Sequence, residues 1–122
     1  MSRLVLALAI IMTTCTTSFA EWQLYHQDSS IIASYDYDSF APFRGNPSAW
    51  VRWHYVSPRD GMGGMKVQFT ADCAAGKLYE IASTPYDTEG NYLASNQHFD
   101  APKEYPVTSG SLNKATYKLL CR

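Results

Sequence analysis

The clearest pattern in the chain is the alternation of apolar and polar side chains between Met65 and Cys73. In the segment MKVQFTADC, every second residue from Val67 onward is apolar, and the residues between them are polar or charged. Because successive side chains of a strand point to opposite faces, this period of two predicts a half-buried strand. The alternation runs through Cys73 and therefore predicts that this cysteine faces the core.

Further strands are predicted by aromatic and β-branched runs that lie between turn signals. The segment KLYEIAST follows a short connection that contains Gly76, and its expected core residues are Tyr79 and Ile81. The turn signal TEGN precedes the last predicted strand. In chain order, these additional predicted strands are residues 22–26, 31–40, 49–56, 77–84 and 91–94.

The period changes near the C-terminus of the chain. Apolar or small residues recur there at helical spacing, at Leu112, Ala115, Thr116, Leu119 and Leu120. This stripe predicts an amphipathic helix, and Ser109 or Ser111 is expected to cap its start. The chain is thus expected to form an α+β domain, with a small antiparallel sheet of about five or six strands and a C-terminal helix packed on it.

The first 20 residues have the pattern of a secretory signal peptide. Arg3 precedes an apolar run of residues 4–12, and small residues stand at Ser18 and Ala20. We expect cleavage after Ala20, which leaves residues 21–122 as one exported domain. The alternative is lipid attachment at Cys15, which would anchor the protein to a membrane.

Removal of the leader leaves two cysteines, Cys73 and Cys121. An even pair of cysteines in an oxidising compartment predicts a disulfide, here one that joins the end of a strand to the C-terminal helix. Removal of the leader also takes away one of the ten Lys and Arg residues and none of the eleven acidic ones, so the formal charge moves from −1 to −2. This charge and the lack of a basic cluster argue against nucleic-acid binding.

Several of these landmarks occur together in one known family. Trp22, the strand WVRWHY, a later strand that ends in ADC, the turn YDTEGN and the ending VTSGSLNKATYKLLC resemble the bacterial surface-adhesin protein E-like domain over about residues 21–122. Where the family has Pro before Gly-Ser, this chain has Ser109. The resemblance implies a small antiparallel sheet with a C-terminal helix. It also implies adhesion to host matrix or plasma proteins, the activity of the name-giving member.

The strand AWVRWHYV carries large side chains on both faces. Because a sheet covered by one helix leaves one face toward solvent, we expect one of the two sets to be exposed. If that set is Trp50, Arg52 and His54, it has the side-chain chemistry of a protein-binding surface. The alternative is that the N-terminal segment covers Trp50 and that the other two residues only solvate the sheet.

The leading functional hypothesis is a non-enzymatic exported binding module, located in the periplasm or at the cell surface. The three histidines show no zinc-ligand spacing, no Gly-x-Ser-x-Gly elbow is present, and no cofactor is predicted. One rival hypothesis is a small enzyme inhibitor that presents the predicted mobile loop of residues 57–64, SPRDGMGG. The other rival is a hydrolase, and a homodimer formed through an open sheet edge stays open in either case.

Overall fold

The fold is taken from a computed structural model that describes residues 21–122, so the predicted leader and Cys15 lie outside the described residues. Eight strands, one short 3₁₀ turn and one helix follow each other along the chain. They are β1 (Trp22–Gln27), β2 (Ile31–Asp36), the 3₁₀ turn (Tyr37–Ser39), β3 (Ala41–Phe43), β4 (Asn46–Arg59), β5 (Met62–Asp72), β6 (Lys77–Asp87), β7 (Asn96–Gln97), β8 (Lys103–Tyr105) and α1 (Leu112–Leu120).

All eight strands belong to one antiparallel sheet. Its order is β1-β2-β4-β5-β6-β7, with β3 paired to β4 and β8 paired to β6. The predicted α+β class, the antiparallel sheet and the C-terminal helix are confirmed. The strands that the patterns did not predict, β3, β7 and β8, have only two or three residues each. Residues 91–94 form no strand, and Tyr92 makes only an isolated bridge to Tyr86.

The core lies between α1 and one face of the sheet, which we call the inner face. Buried residues of β2, β4, β5 and β6 pack there against Leu119 and Leu120 of the helix; the largest fully buried ones are Val51, Val67, Phe69 and Leu78. Such burial stabilises a domain by roughly 1.5–3 kcal/mol per large apolar side chain. The helix starts after Ser111, whose side chain accepts a hydrogen bond from the Lys114 N–H. Within residues 21–122, no helix has the length and apolarity to cross a membrane.

A disulfide joins Cys73 to Cys121, with their Cα atoms 5.6 Å apart, as predicted. The prediction that Cys73 faces the core side agrees with this bond, because Cys121 packs against the core. Cys73 itself is exposed, since β5 ends at Asp72 and Cys73 lies in the turn that follows. Disulfides persist in oxidising compartments, and this one therefore indicates an exported protein.

The prediction of a mobile loop at residues 57–64 is wrong. Strand β4 continues to Arg59, β5 begins at Met62, and only Asp60 and Gly61 connect them. Both connecting residues have positive φ, 50° and 78°, the geometry of a type I′ hairpin turn. Pro58 is tolerated because it lies in a bulge where β4 has no ladder partner on β5.

A second bulge decides which residues of β6 face the core. Gln68 pairs with Ala82 while Phe69 pairs with Glu80, so Ile81 is the extra residue. Ile81 is fully buried, as predicted, but Tyr79 is only half-buried because it faces away from Phe69.

Candidate functional site

The alternation along β4 sorts its six largest central residues onto two faces. Three of them point into the core, namely Val51, Trp53 and Tyr55. The residues of the predicted binding site, Trp50, Arg52 and His54, lie together on the opposite face, which we call the outer face. His54 is exposed, and Trp50 and Arg52 are half-buried. The structure thus brings the three residues together on the face that α1 does not cover.

Two basic residues are cross-strand partners at the centre of the outer face. Arg52 of β4 stands directly opposite Lys66 of β5, and we call these two residues the cation pair. Their neighbours along the same cross-strand row are Ser34 on β2 and Thr84 on β6, neither of which is charged. Like charges directly opposite each other on a sheet repel, so this arrangement is unfavourable for the isolated fold.

Aromatic rings support both cations. The Arg52 guanidinium lies 4.6 Å from the ring centroid of Trp22, and the Lys66 Nζ lies 4.9 Å from that of Trp50 and 5.8 Å from that of Tyr92. Each such contact is worth about 0.5–1 kcal/mol at a site open to water. The ring of the N-terminal strand therefore lies against Arg52, whereas Trp50 is partly covered by Lys66.

In the next cross-strand row, Gly64 has no side chain, so the residues on its two sides can contact each other. His54, Gly64 and Tyr86 are consecutive partners on β4, β5 and β6. The rings of His54 and Tyr86 stack at 16° across the glycine, and the Tyr86 hydroxyl lies 3.0 Å from His54 Nδ1. Burial raises the pKa of Tyr86, and the Arg52 charge offsets part of that rise.

An open pocket of about 560 Å³ lies beside this row. Its walls are Ile32, Ser34, Arg52, His54, Tyr86 and Tyr92, together with the turn that follows β6. The Asp87 carboxylate shapes this turn, because it accepts hydrogen bonds from the backbone N–H groups of Glu89 and Asn91, both at 2.9 Å. The bonds to Asn91 and Glu89 hold the pKa of Asp87 below its ordinary value.

A hydrogen-bond network on the inner face holds β4 in place. The Trp53 indole N–H donates to the Tyr25 hydroxyl at 2.8 Å, and that hydroxyl shares a second hydrogen bond of 2.8 Å with Thr116 of α1. Burial raises the pKa of Tyr25 to about 12. Because Trp53 lies between Arg52 and His54 in sequence, the network also positions the outer face.

A second polar cluster surrounds Glu80, which is only 4% exposed. Its carboxylate accepts a hydrogen bond from the Tyr105 hydroxyl at 2.5 Å and lies 3.1 Å from His98 Nε2. Burial, with Glu80 adding to it, raises the pKa of the Tyr105 hydroxyl. The cluster holds the chain after β6 against the sheet. Residues 21–122 contain no group of three or more His, Cys, Asp or Glu that could hold a metal ion.

Sequence reasoning missed most of the residues that surround the predicted trio. Lys66 was on the polar face of the best-predicted strand, but only the register shows that it opposes Arg52. Trp22, Gly64, Tyr86 and Tyr92 join the site through pairings that no local pattern reveals.

Comparison of the chain with protein-family models, with curated proteins and with solved structures gives no match. The resemblance to the surface-adhesin protein E-like domain therefore remains a prediction from sequence motifs.

Proposed function

We propose that this protein is an exported, non-enzymatic binding module that contacts another protein through the outer face of its sheet. Its leader is removed after Ala20, and the released domain works in the periplasm or at the cell surface. The motif resemblance supports a role in adhesion, with a host matrix or plasma protein as partner.

The chemistry of the outer face is the observation that carries this proposal. Trp, Tyr and Arg are the residue types that contribute most energy at protein interfaces. Here Trp22, Trp50, Tyr92 and Arg52 converge on one face beside an open pocket. Tyr92 is 56% exposed, which leaves aromatic area available to a partner.

Site-specific photo-crosslinking in the native cell tests this proposal. A photoreactive amino acid replaces His54 on the outer face in one strain and Lys118, an exposed residue of α1, in another. We expect the His54 position to give a discrete protein adduct that is absent from the Lys118 position.

Adducts of the same proteins from both positions would show non-selective collisions and contradict the proposal. The absence of any protein adduct at His54, and also at Tyr92 on the same face, would contradict it as well.

A further inference from the structure

The cation pair indicates what kind of partner the outer face accepts. Resting on the function proposed above, we infer that the partner presents an acidic polypeptide segment, with a carboxylate seated between Arg52 and Lys66.

The first support for this inference is the state of the two cations. The ion pairs among residues 21–122 are His26–Asp28, Lys77–Glu104 and His98–Glu80, and the cation pair takes part in none of them. The side-chain hydrogen bonds found in the same part of the chain do not use the donors of Arg52 or Lys66 either. Two adjacent cations with free donors repel each other until an anion lies between them.

Charge complementarity gives the second support. The described chain carries an excess of acidic residues, yet Arg52 and Lys66 are opposite each other on adjacent strands. Side chains directly opposite on a sheet start about 4.5–5.5 Å apart at Cβ, so these two long side chains can both reach one carboxylate. Such a carboxylate would neutralise the repulsion that the free protein has to tolerate.

The positions of the aromatic rings favour a peptide over an acidic carbohydrate. Sugars stack on the faces of aromatic rings, and Arg52 and Lys66 already cover one face each of Trp22 and Trp50, so less ring surface is open to a sugar. An anionic lipid surface is disfavoured because recognition of it ordinarily uses about four to eight clustered cations. The neighbouring pocket offers Ile32 and Tyr86 to an uncharged side chain that follows the carboxylate in an extended peptide. Asp87 and Glu89 also line the pocket and disfavour a second acidic side chain there.

The test measures the fluorescence anisotropy of a short labelled peptide of alternating Glu and Tyr, titrated with the purified native protein. The variant Arg52→Gln/Lys66→Gln removes the cation pair. Lys114→Gln/Lys118→Gln is the control, because it removes the same charge from α1, and Lys114 also lies over an aromatic ring, that of Tyr117.

We expect saturable binding that weakens with salt, falls about tenfold or more in the first variant and is unchanged in the control. A third variant, Arg52→Glu/Lys66→Glu, should lose the Glu-Tyr peptide and gain binding of a matched Lys-Tyr peptide. Equal losses in the first variant and the control would show an effect of net charge only and would overturn the inference, as would no binding by the native protein.

Two further outcomes would replace the acidic peptide by another ligand. Stronger binding of oligogalacturonate than of the Glu-Tyr peptide would assign the site to carbohydrate. Sedimentation that shows a native dimer and a monomeric Arg52→Gln/Lys66→Gln variant would assign the face to a second copy of this chain.

The crosslinking experiment separates this inference from the function on which it rests. If the His54 adduct forms equally well with and without the cation pair and resists competition by the Glu-Tyr peptide, the outer face binds a protein but not through a carboxylate. If the His54 adduct never forms, the proposed function itself fails.

Discussion

At Gly64, the lack of a side chain allows the Tyr86 ring to lie across β5 and contact His54. A Cβ atom added there would collide with the Tyr86 hydroxyl and with the backbone oxygen of Trp53. The ring can move, but the backbone oxygen is fixed by the β4–β5 pairing. Gly64 thus determines whether His54 and Tyr86 can contact each other along the edge of the pocket.

We therefore expect Gly64→Ala to lower the free energy of unfolding by about 1–3 kcal/mol, because overpacking forces a backbone shift. Chemical denaturation measures this change, and near-UV circular dichroism should report displacement of Tyr86. Gln68→Ala, a truncation on the same strand, is the control. A Gly64→Ala protein as stable as its parent would mean that β4 and β5 separate more easily than the geometry indicates.

Tyr25 makes the stability of the fold sensitive to alkaline pH. Its pKa is about 12 in the folded protein and 10.0 in a free tyrosine. The unfolded chain loses this proton at a lower pH than the folded protein does. The stability that the raised pKa of Tyr25 contributes is therefore fully present below pH 10 and is lost as the pH rises to about 12. Two pKa units correspond to about 2–3 kcal/mol. Burial also raises the pKa of Tyr86 and Tyr105, which acts in the same direction.

The expected result is a denaturation midpoint that falls steadily between about pH 10 and 12, with a shallower fall in Tyr25→Phe. Tyr37→Phe, which removes an exposed hydroxyl, is the control for loss of a tyrosine. Equal slopes in the parent and in Tyr25→Phe would assign the alkaline transition to other groups.

At the scale of elements, periodicity predicted what lies within one strand or helix and failed where a pairing partner intervenes. Strand β5 alternates regularly from Met65 to Ala71, and Val67 and Phe69 lie in the core as the alternation predicts. Strand β6 contains a bulge at Ile81, and a charged residue in the core, Glu80, is acceptable only because His98 and Tyr105 pair with it. Those partners lie 18 and 25 residues later in the chain, beyond the reach of local patterns.

The turn between β4 and β5 shows a different cause of error. Pro58 and the glycines suggested a loop, although Asp60-Gly61 is itself the signal of a two-residue hairpin. The proline fits because a bulge releases it from the ladder. The glycines of β5 are needed for close packing rather than for mobility.

The start of α1 depends on one hydroxyl. The Ser111 side chain accepts the Lys114 N–H at 3.0 Å and donates to the Thr108 carbonyl at 2.6 Å. We expect Ser111→Ala to cost about 1 kcal/mol of unfolding free energy, since an alanine leaves the helix N–H without a cap. Ser109→Ala is the matched control and should leave the thermal midpoint unchanged. The reverse order of effects would place the cap at Ser109.

For the molecule as a whole, the candidate site was only partly predictable. Alternation placed Trp50, Arg52 and His54 on one face of β4, but the cation pair exists because β5 lies antiparallel to β4 in one particular register. A shift of that register by one residue would turn Lys66 to the other face. The chemistry of the site is therefore a property of the sheet, not of any single strand.

The disulfide is a covalent constraint on the domain of residues 21–122. It closes a segment of 48 positions between the end of β5 and the end of α1, and the Tyr117 hydroxyl adds a 3.0 Å hydrogen bond to the Cys73 carbonyl. Closure of such a loop limits the unfolded chain and is worth about 4 kcal/mol in the chain-entropy model. We expect reduction to lower the free energy of unfolding by roughly this amount, measured by guanidinium denaturation with and without a reducing agent.

Cys73→Ala/Cys121→Ala should reproduce the reduced protein and should no longer respond to the reducing agent, which separates loss of the bond from side effects of the reductant. Because Leu119 and Leu120 remain buried against the sheet, α1 should stay docked in the variant at low denaturant. The disulfide-bonded parent and the variant would then have the same helix content before unfolding and different denaturation midpoints. Equal midpoints would instead show that the packing of α1 on the sheet, rather than the covalent bond, limits the unfolding of this domain.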